Sequence, residues 1–510
     1  MSAVIDGAER SPAVRSTYVR STGVRSTGEV ALLARVPDQL YINGQWVNGT
    51  GELISVTDPA TGMILKQIQN ASVADGARAL DAAVAAADSW AATPARVRAE
   101  ILRLAFDLLQ ERRDDFATLM TLEMGKPIAE ANSEVTYGGE FLRWFSEEAV
   151  RISGRYGATP EGTGTMVVTQ RPVGPCFLIT PWNFPLAMAT RKIAPALAAG
   201  CTVVVKPAEL TPLTTLLFVQ LLADAGVPAG VVNVITTTRS QAVSAPIIAD
   251  PRLRKLSFTG STVVGRALIA QAAQNVLRTS MELGGNAPFV VFADADLGQA
   301  VNGAMLAKFR NTGQACTAAN RFIVHASIAE EFGRRLTERV DALVIGPGID
   351  PAVDFGPLVN DAAVDNIDTL VLDALSRGAT LLTGGTRPEG PGSFFAPTVL
   401  ANVSADSRMV REEIFGPIAG IRTFETDEEA IEMANGTEYG LIGYVFTTDI
   451  ARGHRMIDSI ETGMMGLNTG LVSNAAAPFG GVKQSGLGRE GGREGIHEYL
   501  STKYTLIPAI

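Results

Sequence analysis

Cys316 is the residue in this chain that is best placed to act as a nucleophile. It lies in the polar, glycine-containing stretch from Asn311 to Thr317. We interpret this stretch as a turn at a helix start, where the helix dipole favours a thiolate. The other two of the 3 Cys residues, Cys176 and Cys201, lie in apolar contexts typical of buried strands, so we expect them to be small core residues.

A thiolate mechanism also needs a base and an oxyanion donor, and histidine is a poor candidate for the base. The chain has only 3 His, which are far apart in sequence. Glu282 stands beside two glycines in Glu-Leu-Gly-Gly, where a desolvated carboxyl with a raised pKa could activate water; an ordinary solvated glutamate is the alternative. Asn183, in Pro-Trp-Asn-Phe-Pro, follows an apolar strand pattern, so its amide could point at a developing oxyanion.

Composition excludes several other classes of protein. The His and Cys residues show no metal-ligand spacing, so we expect no metal site, and 3 Cys residues suit a reducing, cytoplasmic compartment. The net charge of −10 disfavours nucleic acid and anionic membranes as partners. No run reaches the roughly 18 apolar residues of a membrane span.

The elements that would position these residues alternate between strand and helix. Apolar segments at Cys176–Thr180, Thr202–Val205 and Val231–Ile235 are separated by helical patterns, and a second alternating block runs from Ala287 to about Asn468. Such alternation predicts an α/β fold with parallel sheets. Because 510 residues exceed one core, we expect more than one domain.

Further elements are predicted outside the two alternating blocks. The segment Tyr41–Val47 contains an Asn-Gly pair that is typical of a hairpin turn. Helical patterns follow at Val73–Trp90 and Pro94–Thr121. A hairpin at Tyr156–Arg171 and a last strand at Tyr499–Pro508 would leave exposed strands, which usually need a partner such as another subunit.

The first 37 residues differ from the rest of the chain in their residue pattern. Val-Arg-Ser-Thr recurs from Val14, Val19 and Val24, a five-residue period that matches neither a helix face nor a strand face. We predict a disordered tail. An organelle transit segment is the alternative, but Asp6 and Glu9 depart from its usual composition.

A cofactor site is predicted where the strand Lys255–Thr259 meets a glycine turn. Gly260 and Ser261 open a helix that also contains Gly265, and the free N–H groups of a helix start suit a pyrophosphate. The spacing departs from the G-x-G-x-x-G dinucleotide fingerprint, and an ordinary serine-capped helix is the alternative.

Lys206 and Glu209 follow another predicted strand and so lie at the carboxyl edge of the sheet. Lys206 could bond ribose hydroxyls or phosphate. Glu209 could accept from a ribose 2′-OH and repel a 2′-phosphate, so NAD should be preferred to NADP. A solvated loop is the alternative for either residue alone.

Six motifs in order resemble the aldehyde dehydrogenase superfamily. They are Pro-Trp-Asn183-Phe-Pro, Lys206-Pro-Ala-Glu, the turn from Gly260 to Gly265, Glu282-Leu-Gly-Gly, Gly-Gln-Ala-Cys316 and Glu-Glu413-Ile-Phe-Gly-Pro. The likeness covers about residue 38 to the C-terminus.

The resemblance implies a three-part subunit. Residues 38–153 and 173–284 would form a variant Rossmann NAD(P)-binding domain, and 285–484 an α/β catalytic domain. Residues 154–172 with 485–510 would form a β-hairpin oligomerisation element and C-terminal strand, giving a homodimer or homotetramer.

The resemblance also implies a mechanism. Cys316 attacks an aldehyde, the Asn183 amide and the Cys316 N–H hold the oxyanion, and Glu282 activates the water that hydrolyses the thioester. Glu413 would position the nicotinamide ribose. The implied set for NAD, with NADP as an alternative, is Thr180, Pro181, Trp182, Lys206, Ala208, Glu209, Gly260, Ser261, Gly265, Leu283, Glu413 and Phe415.

The predicted substrate is an aldehyde with a distal carboxylate. Arg191 and Arg310 near one thiol favour such a substrate, because guanidinium binds carboxylates bidentately. Together with Ser473 they match the carboxylate-binding positions of succinate-semialdehyde dehydrogenases, while Phe184 and Phe479 would form apolar walls. Salt bridging is the alternative for the arginines.

Several functional alternatives stay open. Glutarate semialdehyde is one methylene longer than succinate semialdehyde, a difference worth only roughly 1–3 kcal/mol. Another ω-carboxy aldehyde is a further alternative. Acyl transfer to coenzyme A would not need Glu282, and a non-catalytic structural role would not need Cys316. Ala318 stands where some members carry a second cysteine, so we predict no disulfide switch at Cys316.

Overall fold

The computed structural model describes residues 17–19 and 23–509, and within them the chain forms two large sheets. The larger sheet has eight strands in the order Gln45–Val47, Leu40–Ile42, Val232–Val234, Val203–Lys206, Cys176–Ile179, Lys255–Thr259, Arg278–Glu282 and Gly486–Leu487. Its five central strands are parallel, and the strands at both edges are antiparallel.

The central strands of this sheet are apolar because helices cover both faces. Val203–Lys206 is buried at every position, and so is the helix Pro185–Ala199 that precedes it. The hairpin Leu40–Ile42 with Gln45–Val47 is present as predicted, with Asn43 and Gly44 at positive φ. The α/β prediction is confirmed.

The second sheet has seven strands, of which only the edge strand Thr380–Thr383 is antiparallel among the residues the structure describes. Their order is Thr380–Thr383, Thr398–Ala401, Ile418–Phe424, Ala319–His325, Ala287–Val291, Ile442–Phe446 and Met464–Leu467. The chain passes from the first sheet to the second between Glu282 and Ala287.

A third, antiparallel sheet stands apart from both cores. Leu500–Pro508 pairs along its whole length with Gly164–Pro172, which also pairs with Arg155–Ala158. Tyr504, Leu506 and other apolar side chains on it are exposed. The expectation of a partner subunit at this sheet stays a prediction.

Helices and short ladders complete the described chain. The α-helices are Thr27–Arg35, Val73–Ala92, Ala95–Glu111, Arg113–Met124, Ile128–Ala149, Pro185–Ala199, Leu213–Asp224, Ser240–Ala249, Thr262–Ala273, Leu297–Ala304, Ala329–Asp341, Asp361–Ser376, Arg408–Arg411, Asp427–Asn435, Ile450–Ser459 and Glu494–His497. Met305–Phe309 is a π-helix, and Arg310–Gly313 and Ala326–Ile328 are 3₁₀-helices. Two-stranded ladders join Ile54–Thr57 to Ile64–Ile68 and Tyr439–Gly440 to Val482–Lys483. Across the described residues, no helix has both the length and the apolar character that a membrane crossing requires.

The predicted disordered tail, residues 1–37, is corrected in its last third. Residues 1–16 and 20–22 lie outside the described residues, but Thr27–Arg35 is a helix. The Ser26 hydroxyl accepts from Glu29 N–H at 3.2 Å and the Glu29 carboxylate accepts from Ser26 N–H at 3.1 Å, a capping box. Leu32 and Leu33 are buried in the core, so this segment folds with the body of the protein.

Two other predicted boundaries also change. The single helix expected over Pro94–Thr121 is two helices that meet at Arg112. Residues 485–510 do not form one element, since Gly486–Leu487 closes the eight-stranded sheet against Met281 and Glu282. Only glycine fits at 486, because a Cβ there would lie 1.9 Å from the Met281 carbonyl oxygen.

Candidate active site

The predicted cofactor residues gather at the carboxyl edge of the eight-stranded sheet. Lys206 and Glu282 are the last residues of two parallel strands. Thr180 and Gly260 come directly after the last residues of two others. A cavity of about 180 Å³ lies at this edge. Among its lining residues are Pro181, Trp182, Gly260, Ser261, Leu283 and Phe415. Open α/β sheets bind ligands at such an edge.

The helix start at this edge has the geometry of an anion site. Ser261 caps the helix Thr262–Ala273, and its hydroxyl accepts from the Val264 N–H. Gly265 lets this helix pack closely, since a Cβ there would lie 2.4 Å from Leu283. Thr259 lines the cavity with a buried hydroxyl that has no hydrogen-bond partner in the described chain. An unpaired hydroxyl beside free helix N–H groups fits a dinucleotide.

Lys206 and Glu209 lie together beside that edge. The Lys206 Nζ donates to the Pro207 carbonyl at 3.3 Å and lies 3.8 Å from the Glu209 carboxylate. Burial lowers the pKa of Lys206. The Glu209 side chain is 45% exposed, and Ala208 is half-buried, so the Glu209 carboxylate is accessible from solvent beside Lys206.

Glu413 reaches the same cavity from the other domain. Its Oε1 accepts from the Gly285 N–H at 3.1 Å, and a Cβ at Gly284 would lie 2.7 Å from its Oε2. Burial raises the pKa of Glu413 to about 7. Phe415 packs edge-on against Trp182, with 5.3 Å between ring centroids.

Cys316 lies in the cavity wall, but the helix predicted to begin there is absent from the described chain. Cys316 occupies a turn between the 3₁₀-helix Arg310–Gly313 and the strand Ala319–His325. No helix dipole therefore favours its thiolate. Burial raises the pKa of the Cys316 thiol to about 12, and the nearby Arg191 opposes this rise. A raised pKa favours the protonated thiol, which must lose its proton to act as a nucleophile.

The Asn183 amide is held against the backbone that leads to this thiol. One of its N–H groups donates to the Gln314 carbonyl at 3.0 Å, which leaves the other for an oxyanion. The backbone carbonyl of Asn183 accepts from Asn311 Nδ2 at 3.1 Å and from Lys126 Nζ at 2.9 Å. Asn311 and Thr312 are buried at φ 55° and 58°, a strained conformation that these bonds maintain.

Glu282 is buried on the same cavity wall. Neither carboxylate oxygen has a hydrogen-bond partner among the described residues. Burial, with the neighbouring Glu490 carboxylate, holds the pKa of Glu282 well above its usual range, while Arg191 and Lys192 oppose this. A desolvated carboxyl of this kind suits a general base for water.

Glu490 is a site residue that the sequence reasoning missed. Its carboxylate lies 2.5 Å from Arg191 Nε and 2.5 Å from Lys192 Nζ. The Arg191 guanidinium also lies over the Phe479 ring, 4.1 Å from its centroid. The alternative of salt bridging thus describes Arg191. In the sequence Glu490 stands between Arg489 and Gly491. Its partners are about 300 residues away, so no local signal indicates this contact.

A second cavity, of about 500 Å³, adjoins the first. Asn183 lines one cavity and Phe184 the other. Arg310 and Ser473 line the second cavity, together with the apolar Phe309. The Arg310 Nε is buried and makes no hydrogen bond within the described chain.

A metal centre finds no support among the described residues. They contain no group of three or more His, Cys, Asp or Glu side chains that could hold an ion.

The chain forms two α/β domains. Between them lie a thiol, a buried carboxyl and a helix N-terminus of the kind that binds nucleotides. These features define a two-domain α/β enzyme with a cysteine at the domain junction. Residues 46–505 match the model of the aldehyde dehydrogenase family, and the chain belongs to that family.

Relatives within the family carry related activities in their names. The chain is 59% identical over 441 residues to a succinate-semialdehyde dehydrogenase of Paenarthrobacter nicotinovorans. The aligned region covers 86% of this chain and 98% of that protein. It is 46% identical to the NADP(+) succinate-semialdehyde dehydrogenase of Escherichia coli (strain K12), over 92% and 97% of the two chains. A glutarate-semialdehyde dehydrogenase of Pseudomonas aeruginosa is 46% identical, over 92% and 98%.

A solved structure has the same overall fold. The succinate-semialdehyde dehydrogenase of Burkholderia pseudomallei superposes with a TM-score of 0.92 at 45% identity, covering 96% of this chain and all of that one.

Proposed function

We propose that this protein oxidises succinate semialdehyde to succinate with a nicotinamide cofactor. The observation that carries the proposal is the unpaired Arg310 Nε in the cavity that adjoins the Cys316 cavity. A buried guanidinium nitrogen that makes no hydrogen bond is costly unless an incoming acceptor, such as a carboxylate, completes it. The names of the relatives support the same substrate.

The substrate carboxylate would bind at the polar end of the larger cavity. Arg310 supplies a bidentate donor there, and Ser473 lines the same cavity. Phe184 would form an apolar wall of this cavity, whereas Phe479 is buried beneath Arg191 and is not among the residues that line it. Arg191 contributes positive charge, since Glu490 already occupies its Nε edge.

The reaction begins when Cys316 sulfur bonds to the aldehyde carbon. The thiol proton is released to solvent as this bond forms. The free Asn183 N–H and the Cys316 backbone N–H hold the oxyanion. After the substrate is oxidised to a thioester on Cys316, Glu282, whose carboxyl lines the same cavity, takes a proton from water. The water oxygen bonds to the thioester carbon, and the Cys316 sulfur leaves as a thiolate that takes this proton back from Glu282.

The residues that would hold the cofactor fit a dinucleotide. Gly260 and Ser261 would hold the pyrophosphate, and Glu413 would hold the nicotinamide ribose. When bound, the cofactor supplies the hydride acceptor for the oxidation. We propose a preference for NAD over NADP, because the exposed Glu209 carboxylate repels a 2′-phosphate.

The cofactor preference has a direct test. Glu209→Ser should shift the kcat/KM ratio of NAD to NADP toward NADP, and a native enzyme that prefers NADP would refute the repulsion argument. The Escherichia coli relative, whose name specifies NADP(+), is a useful comparison in the same assay.

Glutarate semialdehyde is the second candidate substrate. The cavity of about 500 Å³ holds either chain length, and a relative bears that name. Acyl transfer to coenzyme A is less well supported, because the unpaired Glu282 carboxylate suits water activation.

An aldehyde panel tests the proposed substrate. We expect kcat/KM for succinate semialdehyde to exceed that for butanal, which has the same length without the charge. Equal values would refute the role of Arg310. The same assay without and with coenzyme A identifies the acyl acceptor, and free succinate is the expected product.

We also propose that the enzyme is a cytoplasmic homodimer or homotetramer. The exposed apolar side chains on Leu500–Pro508 support a subunit contact there. Light scattering on the purified protein would measure the mass, and a monomer would contradict this proposal.

A further inference from the structure

Lys308 is a buried lysine that none of the steps above uses. It lies on the π-helix Met305–Phe309, two residues before Arg310, and it is fully buried. Single π-helical turns inside a helix are frequent at functional sites. Burial lowers the pKa of Lys308 to about 7, so its amine is retained at a cost in free energy and needs polar partners.

Lys308 and its partners form a closed ring, which is made of hydrogen bonds and of the short pieces of chain that join them. Its Nζ donates to Asn320 Oδ1 at 2.9 Å and to the Ile414 carbonyl at 3.3 Å. Asn320 Nδ2 donates to the Gly285 carbonyl at 3.3 Å. The Gly285 N–H donates to Glu413 Oε1 at 3.1 Å, and Glu413 is bonded to Ile414.

This ring joins three segments that surround the cofactor cavity. They are the loop after Glu282, the strand Ala319–His325 that follows Cys316, and the loop that carries Glu413. The contact between the loops is close, since Gly284 has no room for a Cβ beside Glu413. Lys308 is also the cation whose charge acts on Glu413 from within the protein.

We propose that Lys308 is a positioning residue for cofactor binding, which acts through Glu413 by fixing the loop that aims its carboxylate into the cavity. This inference rests on the proposed role of Glu413 at the nicotinamide ribose. Lys308 itself touches neither cofactor nor substrate in this scheme. Its loss would leave Glu413 buried without a cation, so the carboxyl would become neutral and a weaker acceptor.

A double-mutant cycle tests the proposal. Lys308→Met keeps the volume of the side chain, and Glu413→Gln removes the charge on which Lys308 acts. The readout is the Kd for NAD, measured by titration of intrinsic fluorescence in the absence of aldehyde. Each single variant should raise the Kd about tenfold, the scale of one charged hydrogen bond, and the double variant should be no worse than Glu413→Gln alone.

Two outcomes distinguish a failure of the proposed Lys308 role from a failure of the proposed Glu413 role. If the two effects multiply in the double variant, Lys308 has only a structural role and the inference is wrong. If Glu413→Gln leaves the Kd unchanged, the ribose role of Glu413 and the inference both fail, although the aldehyde panel can still establish the activity.

A matched control removes a different lysine that donates to backbone carbonyls. Lys66 Nζ donates to the Leu33 and Val36 carbonyls at 2.7 and 2.6 Å, away from the cofactor cavity. Lys66→Met should leave the Kd for NAD unchanged. A rise equal to that of Lys308→Met would show that the loss of any such lysine has this effect, and would overturn the inference.

Discussion

The Arg191 Nε lies 2.5 Å from the Glu490 carboxylate, and the same guanidinium covers the Phe479 ring at 4.1 Å. Lys192 shares that carboxylate, so two cations face one anion beside Cys316 and Glu282. Arg191 is therefore a fixed part of the buried charge cluster. Arg310 lines the larger cavity, and its Nε has no hydrogen-bond partner among the described residues, so it is the better candidate for a direct ligand of the substrate.

The two arginines should give different phenotypes when each is replaced by methionine. Arg310→Met should raise the KM for succinate semialdehyde roughly tenfold or more, the scale of a charged hydrogen bond, with little change for butanal. Arg191→Met should impair both aldehydes and lower the unfolding free energy by about 3–5 kcal/mol, because it leaves Glu490 with one cation. Steady-state kinetics on both aldehydes and urea denaturation measure these effects. Equal loss on butanal in Arg310→Met would contradict the carboxylate role.

Cys316 should react slowly with alkylating agents in the enzyme without cofactor. Its pKa of about 12 means that little thiolate exists at neutral pH, and thiolate is the reactive form. The rate of carboxamidomethylation by iodoacetamide should therefore still be rising at pH 9, as followed by peptide mass spectrometry. Cys176 and Cys201 are buried and serve as internal references that should stay unmodified. A plateau near pH 7 would show that the thiol is activated without cofactor.

Much of the fold was predictable because its signals are local. Alternating apolar strands, glycine turns and the Asn-Gly hairpin follow from residues within about ten positions of each other. The helix Thr27–Arg35 was also encoded locally, in the Ser26 and Glu29 capping box. The regular repeat of Val-Arg-Ser-Thr obscured that signal.

The charge state of the site could not be predicted, because it depends on distant partners. Glu490 meets Arg191 and Lys192 only after folding, and nothing near Glu490 in sequence indicates that contact. The predicted helix dipole at Cys316 was wrong because left-handed residues at Asn311 and Thr312 turn the chain there. Burial then dominates the pKa of the thiol.

Glu282→Gln should block hydrolysis of the thioester while leaving acylation measurable. The amide cannot take a proton from water, and general-base removal costs about 10²–10⁴-fold in rate. We expect a burst of reduced cofactor near one equivalent, then near-complete arrest, with a succinyl adduct on the Cys316 peptide by mass spectrometry. In the wild type, the hydrolysis rate should increase as pH rises, because the raised pKa of Glu282 makes its base form scarcer at low pH. Unimpaired turnover by the variant would assign water activation to another group.

The helix Thr27–Arg35 offers a last test, of whether this part of the N-terminal segment belongs to the fold. Leu32 is 3% exposed and packs in the core, whereas Val30 on the same helix is 56% exposed. Leu32→Ala should lower the unfolding free energy by about 2–5 kcal/mol through lost burial and a cavity, and Val30→Ala should change it by no more than about 0.5 kcal/mol. Urea denaturation followed by circular dichroism measures both. If the two variants are equally stable, the helix is not docked in solution and the segment behaves as the tail that its composition suggested.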